Sequence, residues 1–378
     1  MHLQSLSLLQ FKNYPEANLV FVPKINCFTG NNGSGKTNLL DAIYYLSFCK
    51  SFSNPADSQN IMFEEDFFVV QGKYHVSEKP DELYCGVKRG QKKIFKRNKK
   101  EYDKLADHIG SYPLVLIFPG DVELIHGGSD ERRKFLDGVI SQFNKEYLQR
   151  LIDYNKALLQ RNTLLKTFAE KRYFDEASLE IWDEQLVIHG TYIYGERTRF
   201  FEQFKPVFQA NHQKLTGNAE VVDIAYDSQL AESMLGSLLL ASRDKDRYVQ
   251  HTTAGIHKDN LLFLLNGQPL KKFGSQGQQK SYVIALKLAQ YEFTKQLKGF
   301  HPILLFDDIF DKLDPRRVEL LVQMVAQDDF GQVFITDTHT ERLESILESI
   351  EVSSRIFHVT DGLVLPGRDF HNSKEPIE

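Results

Sequence analysis

The sequence contains few cysteines and no long hydrophobic run. Its 3 cysteines, Cys27, Cys49 and Cys85, are odd in number and lack the spacing of a zinc site, a pattern that suits a reducing cytoplasm. No apolar stretch approaches the roughly 18 residues needed to span a bilayer. The N-terminal segment has no basic region followed by an apolar core, so we expect no signal peptide. These absences predict a cytoplasmic protein without a membrane partner.

Internal repeats are also missing, and no heptad run is long enough for an extended coiled coil. The chain has 378 residues, of which 42% are hydrophobic and 26% charged, as in ordinary globular proteins. This length exceeds what one hydrophobic core usually supports. We therefore expect two domains, or one domain with a large insertion.

The formal net charge of −5 argues against binding of a polyanion over the whole surface. A local basic patch nevertheless exists at residues 88–100, where "KRGQKKIFKRNKK" contains no acidic residue. The patch is either a solvated hairpin with Ile94 and Phe95 turned inward, or a contact to a nucleic-acid backbone. The candidate nucleic-acid contacts in this patch are Lys92, Lys93, Lys96 and Arg97.

The hydrophobic pattern changes twice along the chain. Residues 1–30 and 67–118 alternate as strands do, whereas residues from about 130 to 240 follow the period of long helices. Strands and helices then alternate to the end, starting from a hairpin in which Asn266-Gly267 suits a tight turn. The sequence therefore predicts an α/β unit that is split by a helical insertion.

A phosphate-binding loop is the clearest motif. The segment "GNNGSGKT" at 30–37 fits G-x-x-x-x-G-K-[ST], follows a predicted strand and opens a predicted helix. Its backbone N–H groups and the helix N-terminus favour phosphate, Lys36 would reach the β- and γ-phosphates, and Thr37 would bind Mg²⁺. A glycine-rich turn that arose by chance is the alternative. The candidate nucleotide contacts are Gly30, Asn31, Asn32, Gly33, Ser34, Gly35, Lys36, Thr37 and Asn38.

Two acidic residues end a second apolar strand. In "PILLFDDIFDKLD" four apolar residues precede Asp307 and Asp308. Asp307 is the candidate ligand for Mg²⁺ together with Thr37. Asp308 is the candidate catalytic residue that orients or deprotonates the attacking water, alongside Lys36. An acidic strand end that merely faces solvent is the alternative.

The segment "SQGQQK" precedes a helix and resembles the S-G-G-Q signature of ATP-binding-cassette (ABC) ATPases. Ser275 and Gly277 take the places of the signature serine and second glycine, and Gln276 replaces the first glycine. In those ATPases the signature closes on the γ-phosphate held by the opposite subunit, so the resemblance implies half of a split ATP site. A simple loop or a glycine-rich helix C-cap is the alternative. The candidate residues of this half-site are Ser275, Gln276, Gly277 and Gln278.

Two further positions follow from the same resemblance. Asp314, in "FDKLD", falls at the D-loop position beside the dimer interface. In "VFITDTH" either Asp337 or His339 could occupy the position of the switch histidine, and we favour His339.

Together these motifs resemble the RecF family of bacterial recombinational-repair ATPases, which are related to the heads of SMC-type proteins. The resemblance covers nearly the whole chain and is carried by segments in a specific order: "FKNYPEANLVFVPKINCFTGNNGSGKTNLLDAIYYLSFCKSF", "LIFPGDVELIHGGSDERRKFLD", "LLQRNTLLK", "AGIHKDNLLFLLNG", "FGSQGQQKSYVIALKLA" and "LLFDDIFDKLDPRR". It implies an α/β fold, an ABC-type P-loop ATPase head with a β-subdomain and an inserted helical lobe. The ATPase lobe would comprise residues 1–120 and 245–378, the helical lobe 121–244, without a long coiled coil.

The family resemblance also implies a function. ATP would drive face-to-face dimerisation, and the homodimer would act as a clamp on double-stranded and gapped DNA near single-strand gaps. Slow, DNA-stimulated ATP hydrolysis would reset the clamp. RecR and RecO would be partners that help RecA to replace single-strand-binding protein. By position, Lys12 matches a basic residue near the nucleotide phosphates.

The chain departs from ABC ATPases at several points. Asp308 replaces the usual Glu, which implies weak turnover, and no Gln follows "LVLIFPGD", where Asp121 is a possible substitute. Arg132 and Arg133 are either DNA contacts or part of a structural ion-pair cluster. A transporter ATPase subunit is the main alternative function. A P-loop kinase would not need the "SQGQQ" segment, and an SMC-type tether would need a long coiled coil, which this sequence lacks.

Overall fold

A computed structural model of the protein describes residues 1–54, 56–77, 79–217, 220–309, 315–327 and 329–370. Within these ranges the helices and strands follow one another in chain order. They are β1 (His2–Phe11), β2 (Tyr14–Val20), β3 (Ile25–Thr29), α1 (Lys36–Phe48), β4 (Phe67–Val76), β5 (Lys79–Lys88), β6 (Ile94–Arg97), β7 (Lys100–Glu101), β8 (Leu114–Ile117), α2 (Glu123–His126), α3 (Ser129–Phe143), α4 (Lys145–Lys171), α5 (Glu176–Thr216), β9 (Val222–Asp227), α6 (Leu235–Val249), β10 (Asn260–Leu265), β11 (Gln268–Pro269), α7 (Leu270–Phe273), α8 (Gln276–Lys298), β12 (Ile303–Asp307), α9 (Pro315–Ala326), β13 (Val333–Asp337), α10 (Thr340–Ser349), β14 (Ser354–Thr360) and β15 (Leu363–Phe370).

The chain divides into two compact units, Met1–Asp121 with Gln290–Glu378, and Val122–Ala289. Residues 245–289, which the sequence assigned to the ATPase lobe, lie in the second unit. The physical reason is strand pairing, since β10 pairs antiparallel with β9 and β11 in a three-stranded sheet. The assignment of the three segments to functional lobes stays a prediction.

The first unit contains a six-stranded sheet in the order β15-β14-β3-β13-β12-β8. Its central strands run parallel, and every residue of β3, β8, β12 and β13 is buried. Strands that are covered on both faces read as continuous apolar runs, which is why "ILLF" and "LVLI" lack alternation. The parallel register places the ends of β3, β12 and β13 at one edge.

A second six-stranded sheet of this unit is antiparallel, in the order β2-β1-β4-β5-β6-β7. Helix α1 contacts strands of both sheets, β1, β4 and β5 on one and β8, β12 and β13 on the other. Its apolar residues are accordingly buried around most of the helix, among them Leu39, Ile43 and Leu46. The helix that follows the glycine-rich loop is therefore held rigidly by packing on two faces.

The second unit contains the predicted helices. Helices α4 and α5, of 27 and 41 residues, pack against each other, and α3 and α6 pack against this pair. The expectation of helices throughout residues 130–240 is wrong at Val222–Asp227, which form β9. The predicted turn at Asn266-Gly267 is confirmed, because both residues have positive φ angles, 50° and 75°, between β10 and β11.

Two buried arginines join the helices of this unit. Arg161 of α4 binds Asp183 at 2.5 Å and Asp246 at 2.6 Å. Arg197 of α5 binds Asp137 at 2.8 Å and Asp259 at 2.7 Å.

Among the described residues, no helix combines the length and the apolar composition that spanning a membrane requires.

Candidate nucleotide-binding site

The glycine-rich loop connects β3 to α1, as its sequence predicts. Gly30, Gly33 and Gly35 have φ angles of 152°, 81° and 114°, which residues other than glycine rarely adopt. A Cβ atom on Gly30 would lie 2.1 Å from the backbone oxygen of Val359. The loop therefore requires glycine for both its backbone conformation and its close packing.

Lys36, the first residue of α1, folds back across this loop. Its Nζ donates hydrogen bonds to the backbone oxygens of Gly30 at 2.7 Å and Asn31 at 2.8 Å. No acidic residue occupies the first turn of α1. The ammonium group and the helix N-terminus thus place positive potential at the loop, which favours a phosphate group.

The next residue, Thr37, contacts the second motif. Its hydroxyl donates to Oδ1 of Asp307 at 2.9 Å, and the hydroxyl of Thr336 donates to the same oxygen at 2.8 Å. Thr336 also accepts a hydrogen bond from the backbone N–H of Asp308 at 2.9 Å. Sequence reasoning missed Thr336, although the parallel pairing of β12 with β13 sets it directly opposite Asp307.

Burial raises the pKa of Asp307 above its ordinary value, and the nearby charge of Asp308 acts in the same direction. The hydroxyl groups of Thr336 and Thr37 oppose this shift by donating to the carboxylate. A buried carboxylate beside a hydroxyl oxygen offers the hard oxygen ligands that Mg²⁺ prefers. Within the described ranges, no group of three or more His, Cys, Asp or Glu side chains could hold a metal, so water and phosphate oxygens would have to complete the coordination.

A cleft of about 160 Å³ brings most of these side chains together. Its lining includes seven residues predicted from the sequence, together with Thr336: Asn32, Gly33, Gly35, Lys36, Thr37, Asn38 and Asp308.

Two residues that sequence reasoning missed support the loop: Asn13, in the turn between β1 and β2, and Tyr14, the first residue of β2. Asn13 donates to the backbone oxygen of Ser34 at 3.1 Å and accepts from Asn38 at 2.7 Å. The hydroxyl of Tyr14 donates to the backbone oxygen of Gly35 at 3.0 Å. In the sequence, the only sign that Asn13 and Tyr14 lie near the loop is their position after Lys12 in "FKNY".

The signature segment lies in the second unit, at the start of α8. Ser275 and Gln276 are exposed, whereas Gln279 is buried. Gln279 accepts a hydrogen bond from the ring of His126 at 2.9 Å and donates to the backbone oxygen of Gly274 at 3.1 Å. The segment is therefore an ordered helix start that presents Ser275 to solvent.

Comparisons with known proteins agree with this geometry. A family profile described as "RecF/RecN/SMC N terminal domain" matches residues 2–103. The "DNA replication and repair protein RecF" of Phocaeicola vulgatus is 52% identical over 366 residues, which cover 96% of this chain and 98% of that protein. The chain belongs to the RecF family.

Solved structures agree with the RecF assignment. One of them, "Structure of the recombination mediator protein RecF-ATP in RecFOR pathway", has a TM-score of 0.88 at 30% identity, covering 97% of this chain and 98% of that chain. The SMC head domain of Pyrococcus furiosus, at 18% identity and a TM-score of 0.56 over 97% of this chain and 96% of that chain, shares the fold. The predicted SMC-like ABC ATPase head is confirmed, and the RecF family is one of DNA replication and repair.

Lys12, expected near the nucleotide phosphates of this RecF-family chain, does not line the cleft. Its ammonium group binds the buried carboxylate of Asp41, and it donates to the hydroxyl of Ser53 at 2.7 Å. Asp41 also accepts a hydrogen bond from Ser51 at 2.5 Å. The opposite charge of a buried carboxylate on α1 is the physical reason for this placement.

The expected D-loop and switch residues have different outcomes. Asp314 lies outside the described residues. Asp337 is buried, and Arg342 of α10 donates to both of its carboxylate oxygens at 2.8 and 2.7 Å. His339 has 63% of its side chain exposed. Because His339 is exposed whereas Asp337 is buried and paired with Arg342, the structure favours His339 over Asp337 for the switch position. The assignment stays a prediction.

The basic patch of this RecF-family chain is partly occupied by internal contacts. Lys93 binds Asp57 at 2.7 Å and the backbone oxygen of Cys49 at 2.6 Å, and Arg97 binds Asp81 at 2.5 Å. Phe95 is buried as the hairpin interpretation expects, but Ile94 is 40% exposed. Lys92 is exposed, and Lys96 lies 5.7 Å from the ring centre of Tyr84.

Arg132 and Arg133 also bind internal partners. Arg132 donates to Asn260 at 2.9 Å and to backbone oxygens of Leu124 and Gly127. Arg133 donates to the backbone oxygen of Asp259 at 2.6 Å and forms an ion pair with Asp130. These contacts favour the structural interpretation of "ERRKFLD" over a DNA contact.

Asp121, the possible Q-loop substitute, is buried and accepts a hydrogen bond from the backbone N–H of Phe118 at 2.9 Å.

Proposed function

We propose that this RecF-family chain is an ATP-dependent DNA clamp with weak, DNA-stimulated ATPase activity. The observation that carries the proposal is the hydrogen bond between Thr37 and Asp307, because it joins the phosphate-binding loop to the acidic end of β12. Residues 30–38 would bind the triphosphate of ATP through their backbone N–H groups and Lys36. The chain would act in the cytoplasm, where its DNA substrate lies.

Thr37 and Asp307 are the residues that would hold Mg²⁺. Bound Mg²⁺ neutralises charge on the phosphate oxygens and so favours departure of the leaving group. Asp307 is kept in place by the hydroxyl groups of Thr37 and Thr336, which restrict its carboxylate to one orientation. Asp308, at the same cleft, would orient the attacking water and accept its proton. Its side chain is one methylene shorter than the Glu of other ABC ATPases, which supports slow turnover.

The second half of the site would come from another copy of the chain. Ser275, Gln276, Gly277 and Gln278 are proposed to approach the γ-phosphate held by that copy, with Asp314 and His339 near the interface. Exposure of Ser275 at a helix N-terminus supports this role, since such termini attract anions. ATP binding would therefore drive formation of a homodimer, and hydrolysis would release it.

The proposed substrate is double-stranded DNA near single-strand gaps, and the proposed partners are RecR, RecO and RecA. Membership of the RecF family supports this role, as does similarity to a solved recombination mediator of the RecFOR pathway. Exposed Lys92 is the best supported DNA contact among the six candidates, because Lys93, Arg97, Arg132 and Arg133 bind internal partners. The transporter alternative is not favoured, since a RecF protein matches 96% of the chain.

Light scattering tests the proposal by measuring molar mass with and without ATP, Mg²⁺ and gapped duplex DNA. We expect a dimer only with Mg²⁺ and ATP, and a larger complex when DNA is added. Lys36→Ala removes the phosphate contact and should stay monomeric under all conditions. A parent protein that binds ATP but remains monomeric would contradict the clamp mechanism.

A further inference from the structure

The start of α8 is held by a reciprocal pair of hydrogen bonds. The hydroxyl oxygen of Ser275 accepts from the backbone N–H of Gln278 at 3.3 Å, and Oε1 of Gln278 accepts from the backbone N–H of Ser275 at 2.8 Å. This arrangement is a capping box, which satisfies two otherwise unpaired backbone donors. The Ser275 hydroxyl keeps its own hydrogen, so it can still donate to an anion.

The opposite end of the Gln278 amide contacts Glu220. Nε2 of Gln278 donates to Oε1 of Glu220 at 3.0 Å. An ionised carboxylate can only accept hydrogen bonds. Glu220 therefore binds the NH₂ end of the amide and leaves the carbonyl end toward Ser275. If the amide were reversed, two donors would face each other at Ser275 and two acceptors at Glu220.

Glu220 is itself held in place by contacts of the neighbouring backbone and of a buried histidine. The next residue, Val221, donates from its backbone to Oδ1 of Asn266 at 2.9 Å and accepts from the backbone N–H of Asn266 at 2.7 Å. The other carboxylate oxygen of Glu220 lies 3.6 Å from Nε2 of the buried His212. The carboxylate that orients Gln278 thus has a defined place relative to α8.

We propose that Glu220 is a positioning residue for the signature half of the ATP site. By fixing the Gln278 amide it keeps the capping box closed, which in turn directs the hydroxyl of Ser275 toward solvent. This inference rests on the proposed function, in which that hydroxyl meets the γ-phosphate held by a second copy. Glu220 does not line the cleft at residues 30–38, so its loss weakens closure of the dimer without changing ATP binding by one chain.

Two variants of Glu220 separate the hydrogen bond from the charge. Glu220→Asp keeps the charge but is one methylene shorter, so the contact to Gln278 is lost. Glu220→Gln removes the charge but keeps the length and an acceptor oxygen. Glu232→Gln, a change at an exposed acidic residue of the same unit, is the control.

The variants are made in the full chain with Asp308→Asn, which slows hydrolysis. Sedimentation velocity measures the dimer dissociation constant with Mg²⁺ and ATP, and a fluorescent ATP analogue measures the affinity of the dilute monomer. We expect Glu220→Asp to weaken dimerisation by about tenfold or more, and Glu220→Gln by no more than about threefold. The affinity of the monomer for nucleotide should be the same in every variant.

Two results would overturn the role of Glu220. One is a Glu220→Asp variant that dimerises as tightly as its parent, and the other is a Glu220→Gln variant as weak as Glu220→Asp. A parent that binds ATP and never dimerises would instead overturn the proposed function, and this inference with it. The outcome in the parent therefore distinguishes the two failures.

Discussion

The hydroxyl of Thr37 donates a 2.9 Å hydrogen bond to Oδ1 of Asp307, 270 positions further along the chain. This contact places the start of α1 against the end of β12, where Asp308 follows. A phosphate group in the loop would therefore lie near both acidic residues. The residues predicted to bind phosphate and the predicted acidic residues thus lie together in the structure.

Replacing Asp308 by Asn should stop hydrolysis while ATP binding persists. Asn cannot accept a proton from the attacking water, so we expect turnover to fall by about 100-fold or more. Dimers loaded with ATP should accumulate. Phosphate release measures the turnover, and light scattering measures the amount of dimer. Asp308→Glu is the matched control, since its longer reach should preserve or raise turnover. Normal hydrolysis by Asp308→Asn would remove Asp308 from the reaction.

Replacing Ser275 by Arg should block dimerisation but not ATP binding. The residue is exposed at the start of α8, so the long side chain fits the free chain but obstructs an approaching triphosphate. Ser275→Thr retains the hydroxyl cap and should dimerise normally. Molar mass with ATP and the affinity for ATP are measured in parallel. A Ser275→Arg protein that still forms the ATP-dependent dimer would show that the signature half-site is assigned wrongly.

The basic patch should separate into DNA contacts and structural residues. Neutralising exposed Lys92 and Lys99 should weaken DNA binding and reduce the slope of log K against log salt by about 0.9 for each lost phosphate contact. Binding titrations at several salt concentrations measure this slope. An unchanged slope would show that the basic patch does not contact DNA.

Lys93→Ala should instead lower the stability of the first unit. Its ammonium binds Asp57, Tyr45 and the backbone oxygen of Cys49, and its side chain is 13% exposed. Loss of hydrogen bonds to a mostly buried charged group typically costs about 1–3 kcal/mol in the free energy of unfolding. Thermal unfolding checks this, with Lys92→Ala as the exposed control. Equal unfolding temperatures for the two variants would contradict the structural role of Lys93.

His108 should make the protein sensitive to acid. Burial lowers the pKa of its imidazole to about 4, and its Nε2 lies 2.7 Å from the backbone oxygen of Leu46. The unfolded chain then binds a proton between pH 6.5 and 4 that the folded chain does not. Stability from neutral His108 is therefore present at pH 7 and lost as pH falls through this window, by about 3 kcal/mol at most.

His108→Gln removes this titration and can still donate to Leu46. Chemical unfolding at pH 7 and at pH 4.5 should show a smaller loss of stability for the variant than for the parent. Equal losses would indicate that other groups carry the acid sensitivity.

Local motifs were predictable from the sequence. Recognising the loop at 30–37 in the sequence needs only its own glycines, the preceding strand and the following helix, all of which are contiguous. The spacing of Ser275 and Gln278 is that of a capping box within one helical turn, which is also a local feature of the sequence. The turn at Asn266-Gly267 is equally local, because its left-handed backbone is set by those two residues.

Contacts between distant segments were not predictable in this way. Whether Lys93 faces solvent or Asp57 depends on how the hairpin packs on α1, and Lys12 reaches Asp41 only after β1 and α1 pack together. Thr336 joins Asp307 through the register of two parallel strands, and Glu220 joins Gln278 through the placement of β9. The sequence alone determined which segments are predicted to bind phosphate, since the glycine-rich backbone conformation there is local. Tertiary structure decided which charged side chains face solvent and which form internal ion pairs, because their partners lie far away in the chain.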